Sequence, residues 1–324
     1  MQKRDRLVRL NLQKHGLLVL VGLVCILYWQ KATGLYFLLQ LKPITIWLLS
    51  NLKAAIKTSM TEVIFNPIFY GMTAAILLLE RLFPVEPKQK TFSIGLLQDS
   101  IWLLGSFVMR FCWIAPCTMG IDWLYTKLLG NWGINLPQLL ALPDWLRFIL
   151  SIIFADFVTW LSHLLMHQHS FLWRFHVIHH SQAQLNLFTS LRVHPGEMLL
   201  RYPILVLPWY LFAIPYPGQM YYIFFYNWYG RFCHSGIRCN MGWLKHIFVT
   251  PQYHRVHHSI ELRQHNQNYG SLLTIWDFLF GTQHHDTQDY PGTGIDDPQF
   301  PIAQKFTLPS VVRTYWAQIL YPFH

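Results

Sequence analysis

The 324-residue chain is short of charge and shorter still of acid. Only 12% of its residues are Asp, Glu, Lys or Arg, and Asp and Glu together number 15 against 17 histidines. An average soluble domain carries about a quarter charged residues, so the chain does not fit an ordinary cytosolic enzyme, nor a site built on paired carboxylates. Any metal here has to be held mainly by imidazole. Cysteine is scarce too: Cys25, Cys112, Cys117, Cys233 and Cys239 make an odd count with no CxxC pair, which argues against a disulfide framework and a zinc ribbon. There is no HExxH to supply the glutamate base of a zinc protease and no Gly-rich dinucleotide fingerprint after a strand. Internal repeats and low-complexity tracts are absent as well.

What the chain has in excess is apolar, 53% hydrophobic and 16% aromatic residues. Stretches of about the 20 residues a bilayer requires fall near 16–37, 63–83, 96–119 and 143–163. A weaker stretch at 38–52 is interrupted by Lys42 and Pro43 and reads as an interfacial helix. Lys3, Arg4, Arg6, Arg9 and Lys14 precede the apolar run 17–29, and no small-x-small cleavage site follows before Lys31. The expectation is an uncleaved first membrane helix with a cytoplasmic start. Four crossings return the chain to that side near residue 163. The next apolar block, 198–229, is too long for one span and is broken by Pro208, Pro215, Pro217 and Gly218, which predicts a membrane hairpin. From about 240 the chain is more polar, and 286–310 is loop-rich. The net charge of +10 lies beside apolar runs instead of along a basic stripe with stacking aromatics, so it signals topology, and no nucleic-acid partner is expected.

The histidines flank the hairpin, so both groups share one face, expected to be the cytoplasmic one. His163 and His167 are spaced i,i+4 on one helical face, with Asp156 seven residues earlier on the same face. An acid inside an apolar segment needs a partner, and accepting the second N–H of a ligating imidazole would supply it. An HxxHH pattern then occurs twice, as His176, His179, His180 and as His254, His257, His258. His194 and His234 lie between and are weaker candidates to complete the coordination. Imidazole suits iron, zinc, copper and nickel alike. Ligand number narrows the choice: a structural zinc takes four ligands and a catalytic zinc three, whereas eight to ten histidines on one face imply two ions. A dinuclear iron centre that activates oxygen is the natural reading. The His194-Pro195-Gly196-Glu197 stretch is not read as a haem motif, because no small haem-binding domain surrounds it.

These residues resemble the fatty acid hydroxylase superfamily, also called the sterol desaturase family. The matching run begins at Asp156, His163 and His167 and continues through Leu172-Trp173-Arg174-Phe175-His176-Val177-Ile178-His179-His180-Ser181 and Arg192-Val193-His194-Pro195. It goes on through Pro251-Gln252-Tyr253-His254-Arg255-Val256-His257-His258, Asn268-Tyr269-Gly270, Trp276-Asp277 and Phe280-Gly281-Thr282. The likeness covers about 150–284; before it, only Glu80-Arg81-Leu82-Phe83-Pro84 is faintly similar. Two departures stand out: Asn266 where the family often has Asp, and Leu164 where an Arg often follows the first histidine.

The resemblance implies that all ten named histidines ligate two irons, with Asp156, Asn268 and Asp277 behind them. It implies an all-α, multi-span membrane helical bundle with a cytoplasmic helical cap holding a dinuclear metal site. The expected divisions are membrane helices over 1–142, a metal-binding core over 143–285 and a C-terminal tail over 286–324. The expected activity is an O2-dependent oxidoreductase that hydroxylates or desaturates a C–H bond of a lipid or sterol. Zinc is the alternative or substituted metal. Electrons have to come from a reductase or ferredoxin-like partner, since the chain carries no dinucleotide or cluster motif. The location is an integral membrane, the bacterial inner membrane or the endoplasmic reticulum according to source. A membrane zinc-transport protein and a zinc-dependent lipid hydrolase or isomerase are the rival readings.

Overall fold

In a computed structural model, residues 67–89, 92–109, 120, 121, 123–125, 127 and 137–324 are described. The span expected at 16–37, the interfacial helix expected at 38–52, and residues 63–66 and 110–119 of the spans expected at 63–83 and 96–119 lie outside these residues. Among the described residues the fold is helical, with three isolated β-bridges and no strand. The principal helices are α1 (Pro67–Leu82), α2 (Ile94–Met109), α3 (Asp144–Gln168), α4 (Ser170–His180), α5 (Pro195–Leu211), α6 (Tyr216–Cys233), α7 (Pro251–His257), α8 (Ile275–Leu279) and α9 (Leu308–Leu320).

Of these, α3 alone is long and apolar enough to cross a membrane by length and composition. Where the membrane hairpin is expected, α5 and α6 form a helical hairpin joined by a short turn at 212–215. Pro203 and Pro208 are accommodated inside α5 and do not end it. The chain reverses at Pro215, whose extended backbone precedes the first turn of α6.

Packing explains why these elements stay together. Trp209 and Ile214 of the hairpin bury against Ala155 of α3 and Tyr222 of α6. Trp102 of α2, Val177 and Ile178 of α4, Phe300, and Tyr315 of α9 form a second cluster. The segment 286–324 is therefore more than a loop-rich tail, because α9 buries Val311 and Tyr315 and its Gln318 accepts the Trp102 indole N–H at 3.0 Å. Through these contacts the C-terminal helix backs the helix that carries the first HxxHH.

Gly105 of α2 lies directly under Tyr315: a Cβ built there would sit 2.3 Å from the phenol oxygen and 2.6 Å from Cζ. The ring is 5% exposed and packs edge-on against Trp102 at 4.8 Å. Gly105→Ala is expected to lower unfolding stability by about 1–3 kcal/mol through overpacking. Elsewhere in a helix the same change is favourable by about 1 kcal/mol, so a thermal or denaturant unfolding curve gives the sign.

Candidate metal centre

Four elements deliver the histidines. The C-terminal end of α3 carries His163 and His167, α4 carries His176, His179 and His180, and His234 is the residue that ends α6. On α7 lie His254 and His257, with His258 at its C-terminus. Pro251 starts α7 and the Thr250 hydroxyl accepts the Tyr253 N–H at 3.1 Å, so the helix is capped despite its seven residues.

Nine imidazoles converge in two groups. His163, His167, His176, His180 and His257 form one, and His179, His234, His254 and His258 the other, with the donor atoms of each group within 4.8 Å of one another. The groups touch: the His180 and His258 rings stack at 4.3 Å, and His180 meets His257 at 4.7 Å. In the second group Nε2 of His234 lies 3.0 Å from that of His179 and 2.9 Å from that of His254, while His254 and His258 are 3.2 Å apart. Nitrogens held about 2.0–2.1 Å from one ion are about 2.9 Å apart at a right angle and about 3.3 Å apart at a tetrahedral one. The spacing fits one shared cation.

The outer ring nitrogens fix the tautomers. Nδ1 of His163 donates to the Tyr269 carbonyl at 2.9 Å, that of His257 to the Gln267 carbonyl at 2.8 Å, and that of His234 to the Gly230 carbonyl at 2.6 Å. Nδ1 of His176 faces the Glu197 carboxylate at 3.2 Å. Each such bond leaves Nε2 with its lone pair pointing inward. In the first group all five Nε2 atoms are buried without a hydrogen-bond partner. Leaving so many buried acceptors unpaired costs about 1–3 kcal/mol apiece, which is the condition a metal ion relieves.

Burial is the main cause that holds His257 down to about 3, against opposition from its bond to Gln267. It likewise holds His234 down to about 4. His179, His180, His254 and His258 lie well below the ordinary 6.5, first through burial and then through the neighbouring imidazoles. All six are neutral at pH 7, the form in which imidazole binds metal.

Residues 148–282 match the fatty acid hydroxylase family. An ornithine lipid hydroxylase of Rhizobium tropici is 30% identical over 234 residues, 71% of this chain and 70% of that protein.

The chain belongs to the fatty acid hydroxylase family.

Other relatives share the core over a smaller part of their length. An alkylglycerol monooxygenase of Caenorhabditis elegans is 29% identical over 201 residues, 60% of this chain and 38% of the relative. A very-long-chain aldehyde decarbonylase of Arabidopsis thaliana is 28% identical over 192 residues, 51% of this chain and 28% of the relative. No solved structure matches.

Within this fatty acid hydroxylase chain, one of the ten expected histidines stands apart. His194 caps α5: its Nδ1 accepts the Gly196 N–H at 2.9 Å and its Nε2 donates to the Ile319 carbonyl at 2.9 Å. With both nitrogens engaged, it has none left for a metal. Asp156 does not reach an imidazole either. It accepts the backbone N–H groups of Leu272 and Leu273, both at 3.1 Å, and the Trp276 indole at 2.8 Å. A carboxylate with two oxygens satisfies three donors of a loop this way, which explains an acid in the middle of an apolar helix.

Asp277 is a second such hub and is fully buried. It accepts from Trp160 at 2.9 Å, the Tyr253 phenol at 2.7 Å, and the N–H groups of Tyr269 at 3.0 Å and Gly270 at 2.6 Å. Gly270 is required there, because a Cβ would lie 2.8 Å from the Leu273 carbonyl. Asn268 adopts φ +60°, tolerable for Asn, and its amide donates to the Tyr253 carbonyl at 3.0 Å. These contacts aim the Tyr269 carbonyl at His163.

The carboxylate that faces one of the nine clustered imidazoles is Glu197, which the sequence reading treats only as part of a haem look-alike. It also pairs with Arg201 at 2.7 Å, and Arg201 donates to the Ser162 hydroxyl at 3.2 Å. The available signal was an acid in the first turn of an apolar helix with an arginine four residues on.

Because the folded-state values of His257 and His234 lie below the ordinary 6.5, the unfolded chain binds more protons at acidic pH, and stability falls as pH drops from about 6.5 toward about 3. Chelator-treated protein in detergent is expected to melt lower at about pH 5 than at about pH 7. A melting temperature flat across that interval contradicts the neutral, buried assignment.

Proposed function

We propose that this chain is an integral-membrane oxygenase that uses dioxygen and external electrons to hydroxylate, or desaturate, a C–H bond of a membrane lipid at a di-iron centre. The observation that carries the proposal is the pair of touching imidazole groups, too many for a zinc site of three or four ligands. Family membership and the lipid-oxidising activities named for the relatives support it.

In this reading His163, His167, His176, His180 and His257 hold one iron, and His179, His234, His254 and His258 hold the other. When bound, the two irons supply the dioxygen chemistry that an unactivated C–H bond requires. The chain contributes the rest. Backbone carbonyls of Tyr269, Gln267 and Gly230 lock three rings with Nε2 inward. Glu197 holds a fourth and raises its basicity as a ligand. Asp156 and Asp277 keep the loop that carries Tyr269 in place, and burial of the rings excludes bulk water. Electrons arrive from a separate reductase or ferredoxin-like protein.

The core over 143–285 carries the centre, and α3 crosses the bilayer with its histidine end at the cap, on the cytoplasmic side. The exposed Trp145, Ile149 and Ile153 of α3 and Leu200 and Ile204 of α5 support lipid contact along these helices.

Metal analysis of the purified protein separates ligands from bystanders. His257→Ala is expected to lose at least one iron per chain and all activity, whereas His194→Ala is expected to keep both irons. Lipid profiles of cells with and without the chain are expected to differ by an oxidised lipid that the His257→Ala variant does not make. Stoichiometric zinc with full turnover under anaerobic conditions would overturn the proposal.

A further inference from the structure

The segment 270–280 follows the last histidine motif, where the sequence suggests a polar cap outside the membrane. Its surroundings are different. Its single ionisable residue, Asp277, is fully buried, while Ile275, Phe278, Leu279 and Phe280 are exposed, Phe278 to 68%. Ile247 is drawn alongside by the Thr274 N–H, which donates to its carbonyl at 3.0 Å, and the nearby exposed Trp243 extends the apolar edge, with Lys245 between them in sequence.

This edge is continuous with α3. Trp160 stacks on Phe280 at 4.6 Å, and Phe157 meets Trp276 at 5.0 Å and Phe280 at 6.3 Å. Phe154 stacks on Phe157 at 6.4 Å, one turn further toward the N-terminus. A helix of 25 residues is about 37 Å long, against a hydrocarbon core of about 30 Å. Counted from Asp144, Asp156 lies about 18 Å along the axis and Trp160 about 24 Å. The loop docks against that stretch.

Non-helical backbone at membrane depth is tolerated only where its N–H groups are satisfied by protein. Here they are: Leu272 and Leu273 donate to Asp156, Tyr269 and Gly270 donate to Asp277, and the Trp276 indole donates to Asp156.

Resting on the reading of α3 as a membrane span, we propose that 270–280 dips back into the leaflet on the histidine side, with Phe278, Leu279 and Phe280 among the lipid acyl chains. Trp243 and Lys245 mark the headgroup level, the usual place for an amphipathic ring and a long cationic side chain. The dip places lipid tails against the exposed Phe280, whose inner face stacks on the buried Trp160, one helical turn from His163.

The test is photocrosslinking in the full-length protein in its native membrane. The photoreactive amino acid p-benzoylphenylalanine replaces Phe278, or Leu279 should that variant not fold, and in parallel Ile153 on the exposed face of α3 and the 84%-exposed Leu262 of the polar Glu261–Arg263 turn. Mass spectrometry of the irradiated protein is expected to find lipid adducts at 153 and 278 and none at 262. Lipid at 153 with none at 278, or a 278 adduct joining two copies of the chain, overturns the dip and leaves the membrane span standing. No lipid at 153 overturns the span and the dip with it. Neither result depends on iron or activity.

Discussion

Nine clustered imidazole rings, eight of them buried, constrain everything around them, since each carries two nitrogens and the interior offers few partners. Burial lowers the pKa of His179, His180, His234, His254, His257 and His258, and a neutral ring has one donor and one acceptor. The fold spends backbone carbonyls on the donors, at Tyr269, Gln267 and Gly230, and leaves the acceptors facing one another. Two clusters of lone pairs remain, and divalent metal is what such clusters are suited to hold.

The carboxylates of the core serve this arrangement at one remove. Asp156 and Asp277 organise the loop that presents the Tyr269 carbonyl, Glu197 with Arg201 backs His176, and Asp99 pairs with the buried Arg192 at 3.1 Å. Arg192 in turn donates to the hydroxyl of Ser181, the residue that ends α4. Each acid thus sits opposite donors that water cannot reach. The formal +10 counts histidine as neutral and includes no metal. Two bound irons would add to it, and Glu197 is the carboxylate that faces one of the nine clustered rings.

Much of this was legible in the chain. Helical periodicity and the i,i+3 and i,i+4 spacings place the HxxxH and HxxHH histidines on common faces, because such spacing has one geometric meaning on a helix. His194 was not separable by that logic: nothing in its spacing shows that a C-terminal carbonyl, Ile319, occupies its second nitrogen. The role of Asp156 was misassigned for a related reason. A buried acid announces that it has partners, but not whether they are imidazoles on its own face or amides more than a hundred residues away. The division between polar cap and membrane also rested on composition, and α8 shows its limit, since one buried Asp277 breaks an otherwise apolar stretch without making its surface polar.

Everything turns on whether the paired histidine groups consume dioxygen to oxidise a lipid. The direct measurement is oxygen uptake by the reconstituted protein with a reductant and its extracted membrane lipids, against the oxidised lipid formed. The account predicts one dioxygen consumed for each lipid hydroxylated or desaturated, and no product under anaerobic conditions. Product formed at an undiminished rate without dioxygen would contradict it.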